Sequence, residues 1–195
     1  VEKSMEEIVA EVALKVKAVA GRKPRRRPKG GARVAAPPPV KVAARPAVAS
    51  PVGAFVAVGI STGGPPALMR LLAALGPGTP PMAIVQHMPE GFVPSFAARL
   101  NGVSPLEVVV AKDDMTISPG LCAVAPGDRH LEIVRRGDAF RARLKDAEKV
   151  SGHRPSADVL FRSVAQAAGA KALGVLMTGM GRDGADGMGE IRRVG

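Results

Sequence analysis

The sequence has no tryptophan, no tyrosine and a single cysteine among its 195 residues. One cysteine, Cys122, excludes an internal disulfide framework and is typical of a protein from a reducing compartment. No apolar run approaches the roughly 18 residues that a membrane-spanning helix needs, and the N-terminus lacks the apolar core of a signal peptide. These absences predict a soluble, cytoplasmic protein without membrane insertion.

Positive charge is concentrated in the first quarter of the chain. Residues 1–50 hold 12 Lys and Arg against 4 Asp and Glu, a net charge of +8, whereas residues 51–195 hold 16 against 13, a net charge of +3. The three arginines at residues 25–27 could bind nucleic acid, but no aromatic side chains lie among these cations to stack on bases. The proline-rich surroundings instead predict a solvated linker and no nucleic acid partner.

Composition and periodicity divide the chain into three segments. In the first segment, residues 1–21, the pattern of residues 4–20 predicts an amphipathic helix, with Ser4 and Glu7 at the spacing of a capping box. Its apolar face needs a partner, and the basic, proline-rich linker at residues 22–51 offers none. We therefore interpret the first segment as the remnant of the closing helix of another domain, and residues 52–195 as the main folded domain.

From residue 52 onward, strand and helix patterns alternate. Near-continuous apolar runs bounded by glycine and proline are typical of strands buried in a parallel sheet. Three closely spaced strand patterns between residues 121 and 144 indicate an antiparallel excursion, that is, a short run of antiparallel strands inserted between parallel units. The sequence predicts an α/β fold with a doubly wound, mostly parallel sheet, helices on both faces and that small excursion. The predicted strands are residues 54–60, 82–86, 106–111, 121–125, 131–134, 140–144 and 171–178, and the predicted helices are residues 65–75, 92–100 and 156–168.

Ser61 lies in the turn between the first predicted strand and the first predicted helix. Gly59, Ser61 and Gly63 spell G-x-S-x-G, a pattern that raises a serine hydroxyl above a sheet and directs helix N–H groups toward it. Small residues in glycine-rich turns also serve tight packing, so the motif alone does not assign a nucleophile. A base and an orienting carboxylate have to come from elsewhere in the chain.

Two further chemical groups follow strands in the same way. His87 comes directly after the second predicted strand, and Asp183 lies just beyond the last one. Because the carboxyl ends of parallel strands share one edge of a sheet, these groups can converge with Ser61. Histidine can take the serine proton near neutral pH, and a carboxylate can hold the imidazole in the required tautomer. The three residues therefore predict acyl-transfer chemistry.

Alternatives to this assignment stay open at the level of residues. Asp186 is a competing carboxylate, and Asp183 could instead cap the last helix. His130 and His153 are the other candidate bases, although the turn before His130 favours a structural role for it. A phosphate- or nucleotide-binding module is a rival function, with residues 59–64 as an anion cradle, but the P-loop lysine and the full G-x-G-x-x-G are missing.

Five ordered sequence blocks resemble the catalytic domain of the chemotaxis protein-glutamate methylesterase family, CheB. The resemblance extends from about residue 55 to the C-terminus, and five blocks in order are far more specific than any single motif. The blocks are GISTGG at residues 59–64, QHMP at 86–89, APGDRHLEI at 125–133, HRPSADVLFRSVA at 153–165 and LMTGMGRDGADGM at 176–188.

This resemblance implies an activity and a site. The family's catalytic triad would here be Ser61, His87 and Asp183, the trio that also follows the strand ends. The resemblance further implies that the Met180 backbone N–H helps to hold the oxyanion and that Thr62 lines the site. The implied reaction is hydrolysis of glutamate methyl esters on chemoreceptor helices, which releases methanol, with glutamine deamidation as a second activity. It requires no metal and no cofactor.

The resemblance also implies partners and a longer protein. Such enzymes carry an N-terminal receiver domain, whose closing helix residues 1–21 would represent, joined by the linker 22–51 to the methylesterase domain at 52–195. Expected partners are methyl-accepting chemoreceptors as substrates and, through the receiver domain, the receptor-associated histidine kinase. Two departures are notable. Arg182 stands where the family more often has asparagine, and family members continue beyond Gly195, so we expect a domain truncated at its C-terminus.

Overall fold

The computed structural model describes residues 51–195, in which strands and helices alternate along the chain. The strands of this range are β1 (Phe55–Ile60), β2 (Met82–Gln86), β3 (Glu107–Val110), β4 (Thr116–Ile117), β5 (Leu121–Val124), β6 (His130–Arg136), β7 (Ala139–Lys145) and β8 (Ala172–Leu176). The α-helices are α1 (Gly64–Ala73), α2 (Val93–Asn101), α3 (Ala157–Ala168) and α4 (Ala185–Val194), and single 3-10 turns at Glu90–Phe92 and Gly169–Lys171 precede α2 and β8.

Five strands form a parallel sheet in the order β3-β5-β2-β1-β8. At its centre, Ile60 of β1 is in register with Gln86 of β2, and Gly59 is in register with Leu176 of β8. These three strands therefore end at the same level, and the loops that follow them are neighbours at the carboxyl edge. The mostly parallel α/β sheet predicted from the sequence is confirmed.

The antiparallel excursion has different members from those predicted. Strands β4, β7 and β6 form a separate antiparallel sheet in that order. The predicted strand at residues 121–125 does not belong to it, because β5 lies in the main sheet, parallel to both β2 and β3. Its residues Cys122, Ala123 and Val124 are all buried, as expected for a strand that is covered on both faces. The prediction that residues 121–125 belong to the antiparallel excursion was wrong, because it relied on the short spacing between this strand and β6.

Two hydrophobic cores lie on opposite faces of the main sheet. Alternate residues of β1 divide between them, because successive side chains of a strand point to opposite faces: Phe55 and Ala57 join one core, and Val56 and Val58 join the other. Helices α3 and α4 and the antiparallel sheet cover the first core, whereas α1 and α2 cover the second. Helices on both faces are therefore confirmed.

The first turn of α3 is tied to the elements around it by a buried carboxylate. Asp158 accepts hydrogen bonds from the Gly187 N–H of α4 at 2.7 Å and from Ser151 Oγ at 3.0 Å. Gly187 allows this close approach, since an added Cβ there would lie 2.7 Å from Cβ of Phe161 in α3. The N-terminus of α3 consequently has a fixed position relative to α4 and to the loop that precedes α3.

The predictions for residues 1–50 lie outside the described residues. These are the helix of residues 1–21 and all but the last residue of the linker at residues 22–51. The three-segment division therefore stays a prediction. Among residues 51–195, no helix combines the length and the apolar character that crossing a bilayer would require.

Candidate active site

Ser61 is held in a turn between β1 and α1. Its backbone N–H donates to the Thr178 carbonyl at 2.9 Å, and its own carbonyl accepts from the Gly64 N–H at 2.9 Å. Gly63, the residue before α1, has φ 78°, a left-handed conformation that glycine adopts without steric cost. Close packing comes from the loop after β8, where a Cβ added at Gly179 would lie 2.9 Å from Cβ of Ser61. The strand-to-helix turn predicted from G-x-S-x-G is thus present.

His87 follows β2 and is tied to the Ser61 turn through its neighbour. Its backbone N–H donates to the Ile60 carbonyl at 3.2 Å. The Gln86 side chain is buried, and its Nε2 donates to the Ser61 carbonyl at 3.0 Å and to the His87 carbonyl at 3.1 Å. These bonds fix the serine-bearing and histidine-bearing loops to each other.

Asp183 lies in the loop after β8 and makes the most hydrogen bonds of the three predicted catalytic residues. Its Oδ2 accepts from His87 Nε2 at 2.8 Å and from the Ala157 N–H at 2.7 Å, and its Oδ1 accepts from Ser156 Oγ at 2.6 Å and from the Asp158 N–H at 3.1 Å. The carboxylate therefore sits on the N-terminus of α3, where unpaired N–H groups favour an anion. Its side chain is only 2% exposed.

The hydrogen bonds around Asp183 outweigh the effect of its burial on ionisation. Burial by itself raises the pKa of this carboxyl, but the bonds from His87, Ser156 and the first α3 amides lower it from 3.8 to about 2. Asp183 is thus an anion throughout the neutral range. This fixed negative charge lies where it can offset the positive charge that a general base gains when it accepts a proton in the reaction.

The ring of His87 uses one nitrogen on Asp183 and leaves the other unbonded. Nε2 is the nitrogen bonded to Asp183, whereas Nδ1 is buried and has no hydrogen-bond partner among the described residues. The Ser61 hydroxyl and His87 therefore do not share a hydrogen bond in this conformation. Catalytic hydrogen bonds are often long before substrate binds, so this conformation leaves the assignment of His87 as base intact.

A second histidine stacks on His87. The rings of His87 and His153 are 3.8 Å apart between centroids, with 8° between their planes. Burial and the neighbouring His87 both lower the pKa of His153, while Asp183 partly opposes that effect. His153 thus packs against the predicted base and is bonded to neither Ser61 nor Asp183.

The three predicted catalytic residues line one cleft with a volume of about 70 Å³. Met180, whose backbone N–H was expected to hold the oxyanion, also lines it, and its side chain is 84% exposed. Thr62, expected to line the site, is exposed and is not among the lining residues. The other lining residues are Ile60, Ala157, Leu176, Met177, Thr178, Gly179 and Gly181. His87 also borders a second cavity, of about 270 Å³.

The competing residues from the sequence lie elsewhere. Asp186 forms an exposed ion pair with Arg182 at 2.9 Å. His130 is buried at the start of β6 and bonds the Glu148 carbonyl and the Ser156 N–H. Burial raises the pKa of the Cys122 thiol to about 12, which excludes it as a nucleophile near neutral pH. Among residues 51–195, no group of three or more His, Cys, Asp or Glu side chains is arranged to hold a metal ion.

Three residues that support the site were not predicted for it. Gln86 joins the two loops, Thr178 accepts the Ser61 N–H, and Ser156 bonds Asp183 in addition to its predicted cap at α3. The only sequence signal for Gln86 was its place directly before His87 at a strand end. Nothing in the sequence distinguished a capping serine from one that also bonds a carboxylate 27 residues away.

Comparisons with known proteins identify related sequences and a related structure. The sequence profile described as CheB methylesterase matches residues 56–195. The chain belongs to the CheB methylesterase family. It is 50% identical over 159 residues to a protein-glutamate methylesterase/protein-glutamine glutaminase of Rhodopseudomonas palustris, which covers 82% of this chain and 43% of that protein. A Yersinia pestis protein named protein-glutamate methylesterase/protein-glutamine glutaminase is 50% identical over 141 residues, covering 72% of this chain and 40% of that protein.

A solved structure of a CheB protein has the same fold. The CheB methylesterase catalytic domain of Thermotoga maritima superposes with a TM-score of 0.71 at 35% sequence identity, covering 76% of this chain and 77% of that one. By contrast, the match to this chain spans less than half the length of the Rhodopseudomonas palustris and Yersinia pestis proteins.

Proposed function

We propose that this CheB-family chain hydrolyses glutamate methyl esters on methyl-accepting chemoreceptors and deamidates glutamines at the same positions. The observation that carries this proposal is the hydrogen bond of 2.8 Å between His87 and the buried carboxylate of Asp183, which follow the two strands on either side of the strand before Ser61. A serine, an imidazole and an oriented carboxylate at one sheet edge are the set that acyl transfer needs. The names of the curated relatives support the same reaction.

In the first half of the reaction, Ser61 Oγ attacks the ester carbonyl. Its proton passes to His87, and Nδ1 is the ring nitrogen that remains to accept it, since Nε2 is engaged with Asp183. The imidazolium that forms lies against the Asp183 anion, which offsets its charge. When the tetrahedral intermediate collapses, the C–O bond to the methoxy group breaks. The leaving oxygen takes the proton from His87 and departs as methanol.

Charge that develops on the carbonyl oxygen needs hydrogen-bond donors. The Met180 N–H is a candidate, because Met180 lines the cleft and this N–H donates to no other backbone group among the described residues. Its loop is held against the nucleophile by the bond between the Ser61 N–H and the Thr178 carbonyl. Thr62, which is exposed in the turn before α1, stays a prediction as a contributor.

In the second half, water attacks the acyl group on Ser61. His87 takes a proton from that water and returns it to Ser61 Oγ as the acyl bond breaks, which leaves a glutamate side chain. An amide passes through the same tetrahedral species, with ammonia as the leaving group. The proposed glutaminase activity therefore needs no additional residue.

The partners are part of the proposal as well. We expect chemoreceptors as substrates, and a kinase partner only through a receiver domain attached to the predicted linker. A cytoplasmic location stays a prediction.

The experiment that tests the proposal is methanol release from methylated receptor with wild-type chain and with Ser61→Ala. We expect the variant to lose measurable hydrolysis while its thermal unfolding stays within a few degrees of wild type, since Ser61 Oγ bonds no other residue in the described range. Retention of hydrolysis in folded Ser61→Ala protein would contradict the proposed nucleophile.

A further inference from the structure

A continuous chain of hydrogen bonds runs from buried His130 to the predicted catalytic base. His130 Nε2 bonds the Glu148 carbonyl at 2.9 Å, and His130 Nδ1 accepts from the Ser156 N–H at 3.2 Å. Ser156 Oγ then donates to Asp183 Oδ1 at 2.6 Å, and Asp183 Oδ2 bonds His87 at 2.8 Å. His130 and Ser156 are 1% and 0% exposed, so water does not compete for these bonds.

The two partners of His130 determine its tautomer. A carbonyl oxygen only accepts, so the nitrogen that faces Glu148 carries the proton. An N–H only donates, so the nitrogen that faces Ser156 is unprotonated. His130 is therefore a neutral ring with one donor and one acceptor, both used. Its acceptor holds the residue directly before α3, whose first two N–H groups bind Asp183.

Ser156 has more than a capping role. The bond from Val159 N–H to Ser156 Oγ, which caps α3, is long at 3.5 Å, whereas the bond from Ser156 Oγ to Asp183 is 2.6 Å. The shorter bond goes to a charged acceptor, and hydrogen bonds to ionised groups are the stronger kind. The hydroxyl therefore acts mainly on Asp183.

We propose that His130 and Ser156 are positioning residues for the aspartate of the proposed triad: His130 fixes the Ser156 backbone, and Ser156 holds the Asp183 carboxylate against His87. This proposal rests on the proposed function for its effect on rate, although not for the geometry itself. Neither residue lines the cleft. Their loss should therefore slow the chemical step without weakening substrate binding.

The first test compares Ser156→Ala with Ser163→Ala. Ser163 is a matched control on the same helix, since its buried hydroxyl also makes two hydrogen bonds, with the Ile133 N–H at 2.9 Å and the Leu160 carbonyl at 2.7 Å. We expect Ser156→Ala to lower kcat about tenfold or more with KM changed less than about twofold. Ser163→Ala should lower stability but leave kcat within about twofold. Equal effects of the two variants on kcat would overturn the proposal.

The second test separates the two bonds of His130. In His130→Asn the amide oxygen can replace Nδ1 as acceptor for the Ser156 N–H, whereas in His130→Gln the amide nitrogen can replace Nε2 as donor to the Glu148 carbonyl. We expect the asparagine variant to keep most of kcat and the glutamine variant to lose about as much as Ser156→Ala. If the kcat values of the two variants followed only the order of their thermal stabilities, His130 would have a structural role and the proposal for it would fail.

A spectroscopic measurement keeps the proposal testable independently of catalysis. The proton on His87 Nε2 that is bonded to Asp183 should give a downfield NMR signal in wild type and in Ser163→Ala. We expect it to move upfield or broaden in Ser156→Ala and in His130→Gln. If Ser61→Ala retained hydrolysis, the proposed triad would fail, but this signal would still decide the positioning role. An unchanged signal in both variants would overturn that role.

Discussion

Replacing Asp183 by asparagine removes one negative charge from the site and keeps the shape of the side chain. The carboxylate accepts two hydrogen bonds on each oxygen, from Ser156 Oγ and the Asp158 N–H on Oδ1 and from His87 and the Ala157 N–H on Oδ2. An asparagine has only one acceptor oxygen. Whichever way its amide lies, one backbone N–H at the start of α3 must face an NH₂ group.

The expected loss of rate follows from the charge and from the tautomer of His87. Opposite charges about 4 Å apart attract by about 4 kcal/mol at an effective dielectric constant of about 20, which corresponds to a rate factor of about 10³. If the amide instead turns its NH₂ toward His87, the ring adopts the wrong tautomer, and such substitutions cost about 10⁴. We therefore expect Asp183→Asn to lower kcat by a factor between about 10³ and 10⁴.

The assay is the initial rate of methanol release, with Asp186→Asn as the matched control. Asp186 is a half-exposed carboxylate in an ion pair with Arg182, and exposed pairs of this kind contribute at most about 1 kcal/mol. We expect the control to stay within about twofold of wild type. A fall of less than tenfold in folded Asp183→Asn, or equal effects of the two variants, would refute the assigned role of Asp183.

The same substitution has a signature in acid stability. The pKa of Asp183 in the folded chain is about 2, below its ordinary value of 3.8, so the ionised carboxylate stabilises the fold above about pH 4. That contribution is lost as the pH falls toward about 2. We expect the free energy of unfolding of wild type to exceed that of Asp183→Asn near neutral pH, and the difference to shrink below about pH 4. Denaturant unfolding across this range measures it, and a constant difference would contradict the low pKa.

Two further predictions concern the packing around the triad. Gly64→Ala would place a Cβ 1.7 Å from the present position of the Gln86 amide oxygen, so the buried Gln86 must move and its bond to the Ser61 carbonyl must break. We expect a loss of about 1–3 kcal/mol in unfolding free energy and a lower kcat, and unchanged values for both would be a contradiction. His153→Ala removes the ring stacked on His87, and we expect kcat to fall several-fold and His153→Phe to restore most of it. Equal rates in these two variants would show that the stacking does not matter.

Much of the fold could be read from the sequence because its strands are short apolar runs and its helices carry an apolar stripe. A candidate site could be proposed because Ser61, His87 and Asp183 each follow a strand, and parallel strands end at a common edge. The position of β5 could not be read, because a closely spaced strand can either pair antiparallel with its successor or enter the main sheet. Pairing with β2 and β3 decides this and buries Cys122 on one face and Ala123 on the other, and such pairing is a tertiary property.

The contacts that support Asp183 could not be predicted from the sequence for a similar reason. Sequence marked Ser156 as a helix cap and favoured a structural role for His130, and both residues are buried and bonded. That they lead to Asp183 depends on how the loop after β8 packs on α3. Local patterns carry no information about such a contact, since Ser156 and Asp183 are 27 residues apart in the sequence.

In the proposed reaction, Ser61 is a nucleophile that His87 activates. The most direct measurement is reaction of the full chain with a serine-directed fluorophosphonate, followed by mass-spectrometric mapping of the labelled peptide in wild type and in His87→Ala. We predict a label on Ser61 in wild type and a large loss of labelling rate in the variant. A label on another serine would exclude Ser61 as the nucleophile, and labelling of Ser61 that does not depend on His87 would exclude His87 as its base.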